Sequence, residues 1–194
     1  MTVKFCRIKS LLLALLLIGC VAAASAEETG NVQTFVDFSP LDELGRVGEA
    51  RACIGPEYPA GARSSIQSIK PTGWSSVRYD GVVPGGWLFN RCHLIAARFA
   101  DSDVTENIFT GTHALNYGRM NAIENEIAAY IARTGHHVRM RVIPVFLADE
   151  LICRAVVILA ESVEDEEVRI AEMIMNDQPG IEINYKTGES RLEE

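Results

Sequence analysis

The residues able to do chemistry are concentrated in one stretch, Gly85 to Glu124, and its densest part is Asn90-Arg91-Cys92-His93. Asn107 follows His93 by 14 residues, Asn116 follows Asn107 by nine, and Glu124 follows Asn116 by eight. A neutral imidazole is the side chain best suited to take a proton from water near neutral pH. Arg91 lies two residues from His93, so in an extended segment the two share a face. A guanidinium fork beside a base suits phosphate oxygens. Carboxamide oxygens such as those of Asn107 and Asn116 can bind Mg²⁺, an ion that keeps several waters and takes few protein ligands. Glu124 adds a carboxylate to a set able to hold a hard cation and an oxyanion together.

Each of these residues also has a plain structural reading. A histidine after a strand can be satisfied inside the core. Arg91 can pair with one of many acidic residues, and asparagines serve turns and caps. Asn121-Ala122-Ile123-Glu124 resembles a capping box, with Asn121 as N-cap and Glu124 at the third helical position. Continuous helix from Asn116 to Glu124 would separate the two by about 12 Å, too far to share an ion, so a joint role requires a break near Gly118. Cys92 beside His93 is a poor candidate for a nucleophile paired with it, because neighbours on a strand point to opposite faces. His136-His137 lacks ligands at zinc spacing.

These side chains must be positioned by a mixed set of elements. Residues 32–38 read as an edge strand before Pro40, and 47–54 as a second strand. Gly55-Pro56, Tyr58-Pro59 and Gly61 punctuate a loop, and residues 62–80 are polar and irregular around a turn at Pro71-Thr72-Gly73-Trp74. Residues 87–89 read as a short buried strand, 94–100 as a short helix or buried segment, and 101–106 as an exposed loop. Residues 107–112 return to the core. Ile123, Ile127, Tyr130 and Ile131 fall at helical spacing over Asn121–Thr134, and Gly135 supplies a stop. Residues 138–142 alternate as a half-buried strand. Residues 151–160 and 168–175 read as further strands, and 181–185 as a last short one. The expectation is an α+β fold with a mostly antiparallel sheet and one main helix.

The N-terminus reads as a secretory signal peptide over residues 1–26. It has a basic start (Lys4, Arg7, Lys9), a short apolar run at 11–18, and Ala24-Ser25-Ala26 before Glu27. Leu17-Ile18-Gly19-Cys20 offers an alternative, a lipobox that would leave the chain anchored through Cys20. No later run is apolar and long enough to span a bilayer. Residues 27–194 read as a single domain with its core over about 35–190. Removal of 1–26 leaves 15 basic residues of 18 against 26 acidic ones, a net charge of −11. That excludes a broad basic surface for nucleic acid, so any polyanion contact must be local or through a bound cation. Cys53, Cys92 and Cys153 remain, and an oxidising compartment permits one disulfide among them, with the pairing open.

With these residues in place, the chain resembles the DNA/RNA non-specific endonuclease family, whose active site is a ββα-metal (His-Me) finger, and within it the secreted streptococcal-type DNases. The family motif D-R-G-H reads here as Asn90-Arg91-Cys92-His93, and Asn107, Asn116 and Glu124 follow at the family's spacing. The likeness extends through Leu41-Asp42-Glu43-Leu44-Gly45-Arg46, Ile69-Lys70-Pro71-Thr72-Gly73-Trp74, Asn107-Ile108-Phe109-Thr110-Gly111-Thr112 and Gln178-Pro179-Gly180-Ile181-Glu182-Ile183. The resemblance implies a metal-dependent endonuclease that cleaves DNA, and RNA as well, leaving 5′-phosphates. His93 would be the general base, Asn116 the direct ligand of one Mg²⁺ (or Mn²⁺), and Glu124 a holder of the ion through water. Asn107 would orient His93 or the site, and Arg91 would contact phosphate. Two departures stand out: Asn90 replaces the motif's aspartate and Cys92 its glycine. A catalytically silent nucleic-acid-binding envelope protein on the same fold is the alternative that Asn90 favours. A protein inhibitor is a further partner the sequence leaves open, as is the oligomeric state.

Overall fold

Alternation of apolar and polar side chains builds the principal sheet. In the computed structural model, which describes residues 32–57, 66–99 and 103–194, five antiparallel strands run in the order β1-β2-β5-β6-β7. These are β1 (Phe35–Phe38), β2 (Ala50–Ile54), β5 (Val138–Val145), β6 (Ala155–Ser162) and β7 (Arg169–Met175). In β5, Val138, Met140 and Val142 are buried while Arg139 is exposed, as period-two geometry requires. The central strand β6 buries residues on both faces, which explains its continuous apolar run. Gln33–Glu194 form one compact unit. The leader, the lipobox and the turns at 58–65 lie outside the described residues. Among the described residues no helix is long and apolar enough to cross a membrane.

A separate two-stranded hairpin carries the sequence motif. β3 (Phe89–His93) pairs antiparallel with β4 (Ile108–Thr112), in register from Phe89 opposite Thr112 to His93 opposite Ile108. β4 feeds directly into a helical turn, His113–Leu115, then a wider π-turn, Asn116–Met120, and then the main helix α1 (Asn121–Thr134). Strand, strand and helix thus form a contiguous ββα unit. Ile123, Ile127 and Tyr130 of α1 join Cys92, Leu94 and Phe109 of the hairpin region in one core with Ala52, Val142, Val156 and Ile158 of the large sheet. At the other end of α1, Gly135 adopts φ +72° and returns its N–H to Ile131 O at 2.9 Å, the left-handed stop that glycine makes without a Cβ penalty. A last pair, β8 (Ile181–Ile183) with β9 (Ser190–Leu192), completes the fold.

Several expectations change. The strand around residues 87–89 instead begins at Phe89 and contains the motif itself, and Trp87 is 47% exposed. Of the two readings of the segment after His93, the buried one holds and the helix does not: residues 94–99 form turns, with Leu94 and Ile95 at 1% and 0% exposure. The strand placed at 151–160 starts only at Ala155, because Ile152 and Cys153 are buried in turns instead. β9 carried no apolar alternation in sequence and was not expected. Cys53, Cys92 and Cys153 are all buried free thiols, so the permitted disulfide does not form. Burial drives the Cys92 thiol well above its usual value and Cys153 to about 12.

Candidate active site

His93 ends β3, and the strand's alternation turns Arg91 and His93 to the same side while Cys92 is fully buried. The Cys92 side chain occupies the space left by Gly111 on β4, where an added Cβ would come within 2.4 Å of Cys92 Sγ. Cys92 is therefore a packing residue of the hairpin. The Asn90 carboxamide nitrogen is buried and makes no hydrogen bond among the described residues.

The Arg91 guanidinium donates from Nε to Ile69 O at 2.6 Å and stacks over the Trp74 ring at 4.0 Å. It makes no ion pair among the described residues, so the surface-pair reading does not apply. The stretch at residues 69–74 holds the stack in place. Thr110 Oγ1 of β4 donates to Thr72 O at 2.8 Å, and Thr72 Oγ1 donates to Leu151 O at 2.6 Å. This leaves a planar cation held by an aromatic face, with its terminal nitrogens uncommitted to any carboxylate.

Asn107 is fully buried and clamps the chain that follows His93. Its Oδ1 accepts from Ile95 N at 2.9 Å and its Nδ2 donates to Ile95 O at 3.0 Å. Its own carbonyl accepts from Leu94 N at 2.9 Å. Both ends of the carboxamide thus engage the backbone of Ile95, two residues beyond His93.

Asn116 opens the π-turn, half-buried, and no hydrogen bond engages its carboxamide among the described residues. The turn before it is fixed from several directions. Thr112 Oγ1 accepts from Leu115 N at 3.1 Å as an N-cap and donates to Asp177 O at 2.7 Å. Asn176 Oδ1 takes Thr112 N at 2.8 Å, and Gln178 Oε1 takes Ala114 N at 2.9 Å. Both are buried; Asn176 was not singled out from the sequence, and Gln178 only as part of the Gln178-to-Ile183 likeness, not for this contact. They satisfy backbone donors which a helix start otherwise leaves unpaired.

The helical run breaks at Gly118, whose φ −92° and ψ −121° are not helical. This is the interruption that a joint role for Asn116 and Glu124 requires. The capping-box reading of Glu124 is overturned: Asn121 has helical angles (φ −61°, ψ −33°), and its Oδ1 instead accepts from Arg98 Nη2 at 3.3 Å. After the break at Gly118 the helical angles have already resumed by Met120, so Asn121 lies inside the helix and is not its N-cap. Glu124 is consequently free for another role.

The Glu124 side chain is 17% exposed, and the nearest cation, Arg98 Nη2, lies 3.8 Å away while also serving Asn121; Arg98 Nη1 is bound to Asn125. Burial pushes the Glu124 carboxyl up to about 7, with Arg98 only partly opposing. Its charge also helps raise the Cys92 thiol, which puts the carboxylate close to β3.

The loop that follows the buried turns contains a residue not anticipated. Asp103 Oδ1 lies 2.8 Å from His93 Nε2, and the Asp103 side chain is only 7% exposed, although residues 101–106 read as an exposed loop. His93 itself is 18% exposed. The His136 and His137 pair, by contrast, is tied to Asp165 and to Glu57 and Glu164, away from this constellation in sequence and sheet position.

No group of three or more histidine, cysteine or carboxylate side chains that would hold a metal occurs among the described residues. The donor set is of a different kind: an unengaged carboxamide on Asn116 and a buried carboxylate at Glu124 whose charge is poorly compensated. That set fits a hard, largely hydrated cation, which needs few protein oxygens.

A family model described as DNA/RNA non-specific endonuclease matches residues 29–164, more than half of the chain. Among solved structures, NucA from Streptococcus agalactiae with magnesium ion bound superposes with a TM-score of 0.76 at 22% identity, over 88% of this chain and 83% of that one. Sda1 nuclease with bound zinc ion gives a TM-score of 0.74 at 27% identity, over 83% of each chain. An extracellular endonuclease gives 0.63 at 17% identity, over 89% of this chain and 92% of that one. No curated protein matches the chain. The α+β fold, mostly antiparallel around one main helix, is that of these nucleases. The chain belongs to the DNA/RNA non-specific endonuclease family and is a nucleic-acid hydrolase.

Proposed function

We propose that the chain is a secreted, Mg²⁺-dependent endonuclease that hydrolyses DNA and RNA without sequence preference. The observation that carries the reading is Glu124: a buried carboxylate, freed from any capping role, with no cation closer than 3.8 Å. Together with the Asn116 carboxamide, which no hydrogen bond engages among the described residues, it offers the oxygen donors that a divalent cation takes. A divalent cation there would neutralise charge on the scissile phosphate and the departing 3′ oxygen. The magnesium and zinc ions in the NucA and Sda1 structures support a divalent metal, and their order of hardness favours Mg²⁺, with Mn²⁺ as a substitute.

In this reading His93 takes a proton from water as the water oxygen forms a bond to phosphorus. The bond from phosphorus to the 3′ oxygen breaks in line, solvent protonates that oxygen, and a 5′-phosphate remains. His93 then returns its proton to solvent. Arg91 presents its terminal nitrogens to the phosphate. Asn107 fixes the backbone after His93 so that the imidazole stays where β3 delivers it. Asn116 would be the direct metal ligand, and Glu124 would hold the ion through water.

The arginine distribution supports a local rather than a global means of holding a polyanion. Arg46, Arg51, Arg78, Arg119, Arg141 and Arg154 all pair with carboxylates, whereas Arg91 is stacked on an aromatic ring. Contacts confined to backbone phosphates carry no sequence information, in keeping with non-specific cleavage. Secretion follows from the leader at 1–26, and extracellular nucleases among the fold relatives support it.

The test is digestion of plasmid DNA and of RNA by the purified protein. Cleavage should require Mg²⁺, stop with chelator, and vanish in His93→Ala. Full activity of His93→Ala would remove the assignment of the base. Salt-sensitive binding without cleavage in any divalent metal would establish the silent binding protein instead. The mass of the mature N-terminus distinguishes free Glu27 from acylated Cys20.

A further inference from the structure

Asp103 has no role in the site assigned above, yet it is the polar group in contact with the base. Its carboxylate is 7% exposed, and its Oδ1 sits 2.8 Å from His93 Nε2. The chain that follows it is anchored. Asn107 N donates to Val104 O at 3.1 Å, and the Asn107 side chain clamps Ile95, two residues beyond His93. The acid and the imidazole are thus set against each other by the same buried asparagine.

A carboxylate accepts but does not donate, so the proton in this contact belongs to Nε2. Nδ1 then keeps its lone pair, and no hydrogen bond reaches Nδ1 among the described residues. One ring nitrogen is tied and the other is left to receive a proton. When it does, the imidazolium gains a second, charge-assisted attraction to Asp103 in a site with little solvent. A carboxylate behind a catalytic histidine plays the same part in hydrolases of unrelated folds.

We propose that Asp103 is a positioning residue for His93, fixing its tautomer and orientation and stabilising its protonated form during turnover. The inference rests on the reading of His93 as the base. A competing role is purely architectural: an ion pair that ties down the loop.

The experiment compares the full mature protein with Asp103→Ala, Asp103→Asn, His93→Ala and the double variant His93→Ala/Asp103→Ala. Turnover is measured on an activated nitrophenyl phosphodiester and on plasmid DNA with saturating Mg²⁺, beside a thermal melt of each variant. Asp103→Ala should lower kcat about ten- to a hundredfold with KM within about twofold of the parent. Asp103→Asn, which keeps a hydrogen-bond acceptor and loses the charge, should fall between. The double variant should be no slower than His93→Ala alone, since Asp103 acts through the ring. In ¹H–¹⁵N spectra, the His93 Nε2–H signal, assigned by its loss in His93→Ala, should be protected from exchange in the parent and exposed in Asp103→Ala.

Parental kcat in Asp103→Ala overturns the inference, as does a loss confined to KM, or losses that multiply in the double variant. If Asp103→Ala does not fold, the isosteric Asp103→Asn decides by the same criteria. Full turnover in His93→Ala removes the base assignment itself, whereas an inactive His93→Ala with a fully active Asp103→Ala leaves the base standing and removes only Asp103.

Discussion

Glu124 offers a test of the site that does not depend on catalysis. In the folded protein its carboxyl is raised from 4.5 to about 7 by burial, Arg98 offsetting only part of the effect. The folded state therefore holds the proton more tightly than the unfolded chain does. The contribution of Glu124 to stability is therefore greatest below pH 4.5, declines as pH rises through the window to about 7, and levels off above it. At about 1.36 kcal/mol per pH unit, this window is worth about 3 kcal/mol. The side chain is 17% exposed, so most of that difference survives solvent screening. Glu124→Gln removes the ionisation and keeps the shape. Urea unfolding of parent and variant in chelator, at pH 4, 6 and 8, should give nearly equal stabilities at pH 4 and a variant more stable by about 3 kcal/mol at pH 8. Millimolar Mg²⁺ should close much of the gap at pH 8 by stabilising only the parent, because a ligand stabilises the state it binds. A difference between parent and variant that does not change with pH would refute the reasoning, since the carboxylate would then not be an uncompensated buried charge.

Two other residues give sharp expectations. Arg91→Lys keeps the charge but cannot both stack on Trp74 and present a planar fork, so kcat/KM should fall about ten- to a hundredfold, equivalent to roughly 1.5–3 kcal/mol of a charge-assisted bond. A lysine variant with parental kcat/KM would mean that only charge is used there. Asn107→Ala strands the N–H and C=O of the fully buried Ile95, and should cost roughly 2–5 kcal/mol in urea unfolding; a loss under about 1 kcal/mol would show that the clamp is not needed.

Much of the placement of the candidate residues was legible because they sit on regular structure. Period-two geometry put Arg91 and His93 on one face, and the helical stripe of Ile123, Ile127 and Tyr130 with Gly135 beyond located α1 to the residue. The need for a break at Gly118 followed from helix rise alone, and the π-turn at Asn116–Met120 supplies it. What was hidden depends on distant chain. Asn176 reaches Thr112 across 64 residues and Gln178 reaches Ala114 across the same separation, and no local pattern marks such buried carboxamides. Asp103 looked like one more solvated acid, because its burial is decided by how the loop folds back on His93. The Asn121-to-Glu124 capping pattern misled for a related reason: a cap needs a helix beginning, and here the helix has already begun just after the break at Gly118, before Asn121.

The same dependence on context explains how a chain with net charge −8, or −11 without residues 1–26, can act on a polyanion. Long-range attraction is not available to it, so affinity must be made where the phosphate lies. Most arginines are neutralised against carboxylates that brace the fold. Arg91 escapes because its neighbour is Trp74, an aromatic face that holds a guanidinium in place without cancelling its charge. Glu124 is the complementary case, a half-buried carboxylate answered by Arg98 alone, at 3.8 Å, a guanidinium shared with Asn121 and Asn125. One residue is left with unspent positive charge and the other with unspent negative charge. A phosphate and a divalent cation together satisfy both, and neither would do so alone.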